Sequence, residues 1–410
     1  MKPFQAAFAS FLLVLVPGCS TMNPEPVRNL EPLLRSSGPH LRTHLDHAPD
    51  LRLQILISEV VHPSGKPPRL RRHGFRVDAE YFYPASTVKL CAAVAALQLI
   101  EDLEARHALS HLAVTPFRID PLYPGDSPQT HDPTHLDGGH LTVAHQIRQI
   151  SFVSDNPAFN RLYDLVGHED LNRSMHALGL SSLIINHRLS ETRPVPDLRA
   201  SASVTFLPPG LPPVSIPARV SPLDLSHATP GRFVGNAYLR GDTRVDGPMD
   251  FTGRNRISLV DLQNLMIKLV RPDLPLPGEP LRLNPSHRSL LIEGMTSYPR
   301  ESTNPRYAEK EFPDDYSKFL LPGVRRVFPE TEPARRIAIT GKIGRAYGFS
   351  IENCHLTNPA NGRSVFVTAA LYTNSDGTLN DDQYEYSTIA DPLLADLGEL
   401  IARQWLSDPR

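Results

Sequence analysis

Between Ser86 and Leu103 the chain carries Val88, Leu90, Ala92, Ala93, Val94, Ala96, Leu97, Leu99 and Ile100. At helical spacing these residues surround the axis instead of forming one stripe, which describes a helix buried on all sides. Such a helix has no face to offer water, so packed layers must cover it all round. The chain can supply them. It has 410 residues, 40% of them apolar and 21% charged, enough for one large domain or two interleaved ones. A formal net charge of -2 leaves no electrostatic footprint for a polyanion, so nucleic acid drops out as a partner.

The layers can be read from the flanking segments. Leu51 to Val61 is rich in branched apolar residues and ends at Pro63-Ser64-Gly65, predicting an early strand and a turn. Val143, Ala144, Ile147 and Ile150 recur at helical spacing, and Pro157 suits the first turn of the next helix. Ser258 reads as the N-cap of a helix with Leu262, Leu265, Met266 and Leu269 on its apolar face. Apolar runs at Arg336 to Thr340, Tyr347 to Leu356 and Ser364 to Thr373 predict consecutive strands, with Asn361-Gly362 as the last turn. Ile389, Leu393, Leu394, Leu397, Leu400, Ile401 and Trp405 predict a closing amphipathic helix. Early and late strands would join one antiparallel sheet flanked by N- and C-terminal helices. This is an α+β fold, with a sheet lobe from about 46–84 and 330–410 and an all-helical lobe from 85–330. Forty-one prolines against 24 glycines point to stiffened connections. They concentrate in 201–248, which reads as an irregular insertion.

The N-terminus has a different character. Lys2, the apolar run Phe11 to Val16 and then Pro17-Gly18-Cys19 read as an export signal over 1–19, too short to span a bilayer permanently. Its end resembles a bacterial lipobox, which would make Cys19 the lipidated first residue of an exported, envelope or periplasmic protein, with plain secretion as the alternative. Residues 20–45 then read as a polar tether before the main domain at 46–410. Cys91 and Cys354 lie in apolar runs; buried thiols and a disulfide are both compatible with that compartment.

Three short patterns carry the chemistry. Ser86-Thr87-Val88-Lys89 sets a hydroxyl and an amine one helical turn apart on one face, and an amine in a dry site can take a serine proton. Ser154-Asp155-Asn156 offers a hydroxyl that can relay a proton and an amide that can hold a lysine or a carbonyl. Lys342-Ile343-Gly344 follows a strand and offers a cation for a substrate carboxylate, with a glycine that lets a substrate backbone approach. Taken singly, each has an ordinary structural explanation as a cap, a turn or a solvated lysine.

Together, in this order, the patterns resemble the S-x-x-K, S-D-N and K-[T/S]-G set of class A β-lactamases and penicillin-binding proteins. The wording Tyr83-Pro84-Ala85-Ser86-Thr87-Val88-Lys89-Leu90 is also close to that family's nucleophile segment. The resemblance covers the chain from about Leu51 onward. It implies a β-lactamase/transpeptidase-like fold and a serine hydrolase acting on C–N amide bonds, with Ser86 as nucleophile, Lys89 as base and Ser154 as proton relay. It further implies Asn156, Lys342, Gly344 and Arg345 in substrate binding, and backbone N–H groups of Ser86 and Arg345 as the oxyanion hole. Ile343 stands where the family has a hydroxyl; Arg345 is the candidate replacement. Glu191 occupies the stretch that carries the family's deacylating glutamate, and the alternative for it is a surface carboxylate paired with Arg188 or Arg193.

The expected substrate is a β-lactam or a peptidoglycan-related small molecule or peptide. A peptidase, esterase or transpeptidase on the same scaffold is the second reading, and a catalytically silent envelope binding protein the third. His131, His135, His140 and His145 match no metal-ligand spacing and are interrupted by Pro133, Gly138 and Gly139, so the expectation is a polar loop, with no metal and no cofactor.

Overall fold

The computed structural model describes residues 26–191, 193, 197–330 and 336–408. Its main sheet runs Arg28–Asn29, Arg69–Phe75, Gln54–Val61, Ser364–Tyr372, Phe349–Thr357, Ala338–Gly341, with Gly344–Ala346 also paired to Phe349–Thr357. Neighbours are antiparallel except the first strand, which lies parallel to Arg69–Phe75. The two ends of the chain therefore share one sheet: Ile57 faces Val367 and Ile55 faces Ala369 across the central pair.

Side chains along these strands alternate between two cores, as the pleat requires. Leu56, Ile351, Phe366 and Ala370 enter the core shared with the central helix Lys89–His107. Ile55, Ile57, Cys354, Val365 and Val367 enter the other, closed by the C-terminal helix Asp391–Ile401. The helix Leu259–Val270 is fastened to the sheet by side-chain amides: Gln263 Nε2 donates to Leu56 O at 2.9 Å and Asn353 Nδ2 to Leu262 O at 3.0 Å. As expected, Ser258 caps that helix, accepting from Asp261 N at 3.1 Å, a contact worth about 1 kcal/mol. The central helix is buried from Lys89 to Leu97 without a break, covered by Val143–Val153, Asn156–Val166 and His168–Ala177.

Two expectations need correction. The segment read as a tether to residue 45 is folded from Arg28: it supplies an edge strand and the short helices Glu31–Leu34 and Pro39–His44, with Leu30, Leu34, Leu41 and Leu45 buried. Its anchor is distant, since Asp396 accepts from His40 N (2.7 Å) and Leu41 N (3.2 Å) at the open end of Pro39–His44. The insertion at 201–248, read as irregular, contains short strands. Val204–Phe206 and Val214–Ile216 extend Phe117–Ile119, while Ala237–Arg240 pairs with Thr243–Asp246 and, in parallel, with Thr378–Leu379. Cys91 and Cys354 are free thiols buried in separate cores. The signal segment and Cys19 lie outside the described residues, among which no helix is long and apolar enough to cross a membrane.

Candidate active site

Ser86 sits in a tight turn of helix, Ala85–Val88, that leads into the central helix. Ala85 before it has φ +47°, a left-handed conformation that costs a non-glycine residue energy and is met most often at functional sites. Gly344 meets this turn from the sheet. A Cβ added there would stand 2.7 Å from Pro84 O and 3.0 Å from Ser86 N, so only glycine lets strand and turn come this close. Ser86 itself is half-buried.

Ser154-Asp155-Asn156 is the joint between two helices, and each residue has a separate structural task. Ser154 ends Val143–Val153 in the left-handed conformation, φ +60°. Asp155 caps the next helix by accepting from Ala158 N at 2.7 Å, with Pro157 in the first turn. Asn156 is thereby aimed at the central helix. Its Oδ1 accepts from Lys89 Nζ at 2.6 Å and its Nδ2 donates to Ser190 Oγ at 2.7 Å, which fixes the orientation of the amide.

Lys89 Nζ also donates to Ser154 O and to Ser154 Oγ, the latter at 3.2 Å. From the sheet side Lys342 Nζ reaches the same hydroxyl at 2.8 Å and Ile343 O at 3.0 Å. One hydroxyl thus joins two buried amines. Burial pushes Lys89 down to about 7, only partly opposed by the charge of Asp155. Burial also holds Lys342 well below the ordinary lysine range, with the charge of Lys89 adding to the fall and Glu352 opposing it. Two ammonium groups on one oxygen repel, so the pair favours a state with one neutral amine, which is what a general base requires. Among the described residues Ser86 Oγ makes no hydrogen bond; its proton is available to an incoming base.

Arg345 stands on the cleft wall but is already engaged. Its Nη2 pairs with Asp391, its Nε donates to Ser350 Oγ at 3.2 Å, and its guanidinium lies 4.2 Å from the Phe319 ring centroid and 4.6 Å from that of Tyr386. Ile343 lines the same cavity as Ser86, Ser154 and Asn156. The structure therefore brings Ser86, Lys89, Ser154, Asn156, Lys342, Gly344 and Arg345 together around one cleft.

Glu191 is not among them. Its Oε2 pairs with Arg193 at 2.8 Å, and it lines another cavity with Asp126, Asp164 and Arg188. The residue before it, Ser190, joins the cleft instead, through Asn156. Sequence reasoning missed Ser190, which no local pattern marks. It also missed the wall formed by Tyr347, Tyr384 and Tyr386, for which the Y-x-Y at 384–386 was a visible signal. His135 and His145 rings meet edge-on at 4.5 Å, and among the described residues no group of three or more His, Cys, Asp or Glu is placed to hold a metal ion.

Comparison with known proteins gives the same architecture. No curated protein sequence matches the chain. A variant of PBP-A, solved as its acyl-enzyme with penicillin G, superposes with a TM-score of 0.50 at 16% identity, covering 93% of this chain and 98% of that one. The β-lactamase from Streptomyces albus G gives 0.48 at 17% identity, covering 89% and 97%, and one from Burkholderia ambifaria 0.49 at 16%, covering 88% and 97%. A sequence model described as the beta-lactamase enzyme family matches residues 74–405, a span that holds every site residue named above, and the chain belongs to that family.

Proposed function

We propose that this protein is a serine hydrolase that opens an amide through an acyl-enzyme on Ser86. The observation that carries the reading is the Ser154 hydroxyl held between Lys89 and Lys342, beside the turn that presents Ser86. In this mechanism neutral Lys89 takes the Ser86 proton as Oγ attacks the substrate carbonyl. Charge developing on the carbonyl oxygen would be met by the backbone N–H groups of Ser86 and Arg345, beside the point where Gly344 packs against the Ser86 turn. The C–N bond then breaks, and Ser154 passes a proton to the leaving nitrogen while drawing on the lysine pair behind it. Water would complete the cycle by releasing the acyl group.

The release step separates two readings. With Glu191 held by Arg193, the carboxylate that the family resemblance assigns to activating that water is engaged outside the Ser86 cleft, which favours a long-lived acyl-enzyme of the penicillin-binding type over fast β-lactam turnover. Ile343, an apolar residue at the hydroxyl position of the third motif, bears on how the substrate carboxylate is held and leaves the release step untouched. The fold relative acylated by penicillin G makes that compound the natural first probe. Mixing the protein with nitrocefin, and following penicillin G by intact mass, should give a burst near one equivalent, a stable adduct on Ser86 and little steady turnover. Sustained hydrolysis would establish a β-lactamase instead, and no adduct under any condition would leave a binding protein. Export and a lipid anchor at Cys19 remain part of the proposal on the strength of the N-terminal segment alone.

A further inference from the structure

A cavity of about 470 Å³ opens on Ser86 and is walled by Tyr83, Tyr347, Asn380, Asp382, Tyr384 and Tyr386. Much of this wall belongs to the stretch from 364 to 402, which has no lysine or arginine and seven acidic residues. Six of the seven are committed to the fold. Asp376 and Asp381 close turns on Thr378 N and Gln383 N, and Glu385 takes Ser375 N. Asp391 pairs with Arg345, Asp396 with Arg326, and Glu399 with Arg403 and Arg326. Asp382 alone has no hydrogen bond or ion pair among the described residues, and it is the acidic residue that lines this cavity.

Its surroundings are held in place. Asp382 and Asn380 take left-handed backbone conformations, φ +59° and +66°. Tyr384 Oη accepts from Asn380 N at 2.8 Å, and Tyr386 Oη accepts from Gly348 N at 2.9 Å. The insertion braces the segment from behind, pairing Ala237 with Thr378 and Tyr238 with Leu379. Arg345 is the one lysine or arginine among the residues lining either cavity beside Ser86, and Asp391 already neutralises it. The wall thus offers aromatic rings and an uncompensated carboxylate, the two features that attract an organic cation.

Resting on Ser86 as the acylated residue, we infer that this cavity binds an ammonium group of the substrate's acyl part, between Asp382 and the tyrosines Tyr347 and Tyr384. The site would then select acyl donors by a positive charge near the reacting carbonyl. An anionic substituent at the same place would be disfavoured.

Two measurements on the full chain test this. Calorimetry with hexylammonium, hexanol and hexanoate reads the cavity without any chemistry, and hexylammonium should bind at least about fivefold tighter than the other two. Ampicillin, benzylpenicillin and carbenicillin differ at one carbon by an ammonium, a hydrogen or a carboxylate, and their rates of acylating Ser86 should fall in that order. D382N should bring both series close to parity, and D382E should restore the order. Equal affinities, or a preference that D382N leaves intact, overturn the inference. The two proposals fail separately: ammonium selectivity without any Ser86 adduct upholds the cavity and removes the hydrolase reading, whereas acylation without selectivity does the reverse.

Discussion

Lys342 and Ser154, 188 residues apart in the chain, meet at 2.8 Å between amine and hydroxyl. With Lys89 on the other side of that hydroxyl, Ser154 is, among the described residues, the one hydroxyl bonded to both buried amines, which is where the proposed proton relay to a leaving group would run. S154A should therefore slow acylation by amide donors by about 10²–10⁴-fold. A fluorophosphonate loses fluoride and needs no proton at the leaving atom, so its reaction with Ser86 should fall far less. Parallel labelling rates, with circular dichroism to confirm folding, check this. Equal losses for both reagents would remove the relay role.

On the proposed mechanism the amine of Lys89, lowered to about 7 by burial, should set the pH dependence of acylation. The neutral form is the base, so the rate should rise about tenfold per pH unit below 7 and level off above it. K89R keeps its charge throughout this range; it should lose the rising limb and about 10³-fold in rate. Labelling of Ser86 between pH 5 and 9 is the measurement, and a wild-type profile flat through 7 would exclude Lys89 as the base.

The catalytic patterns were legible because their geometry is local. One helical turn joins Ser86 to Lys89, and the left-handed end of one helix and the aspartate cap of the next together aim Ser154 and Asn156. Lys342 could be read from its strand and the glycine after it. For Glu191 the sequence left two readings open, and the structure shows the pair with Arg193; which one holds is decided by ion pairs that direct its loop to residues far along the chain, Arg188 with Asp164 and Arg193 with Asp126. The folded N-terminal segment was hidden for a similar reason. Leu30, Leu34, Leu41 and Leu45 are apolar at helical intervals, yet prolines interrupt them, and the carboxylate that caps Pro39–His44 belongs to Asp396 in the C-terminal helix.

Gly344 offers a test of the close approach on which the proposed oxyanion hole would depend. A methyl group there meets backbone atoms of Pro84 and Ser86, which cannot swing aside as a side-chain tip can. G344A should displace the strand from the nucleophile by a fraction of an ångström and lower acylation by about 10²-fold. The contact is confined to one edge of the sheet, so the melting temperature should change by only a few degrees. An acylation rate within about threefold of the parent would mean that the N–H groups are placed some other way.

Behind Lys342 lies a buried carboxylate. Glu352 is fully buried, its Oε1 has no hydrogen-bond partner, and burial raises its pKa to about 7 despite the charge of Lys318. A carboxyl whose pKa is higher folded than unfolded binds more protons in the native state between about 4.5 and 7. Stability then falls as pH rises through that window. Replacing the group by a neutral amide removes the dependence, so the difference in unfolding free energy between the parent and E352Q should shift against the parent by on the order of 3 kcal/mol from pH 4.5 to 7.5. Chemical denaturation at the two pH values measures it. A difference independent of pH would show that the Glu352 pKa is the same in the folded and unfolded chain.

The Arg193 contact makes a definite forecast about Glu191 and turnover. If the carboxylate serves the loop and not the deacylating water, E191Q breaks the ion pair with Arg193 but leaves the chemistry at Ser86 alone. The lifetime of the penicillin G adduct, followed by intact mass over hours, should then stay within about twofold of the parent, because no proton transfer in the release step has been lost. Loop stability should respond more than catalysis: Arg193 keeps Asp126 at 2.7 Å, and a half-exposed ion pair contributes little, so even R193A should unfold within a few degrees of the parent. An adduct that persists at least about a hundredfold longer in E191Q would place Glu191 as the base of deacylation. That result would also mean that the carboxylate leaves Arg193 once Ser86 is acylated, which R193A could report independently by accelerating release.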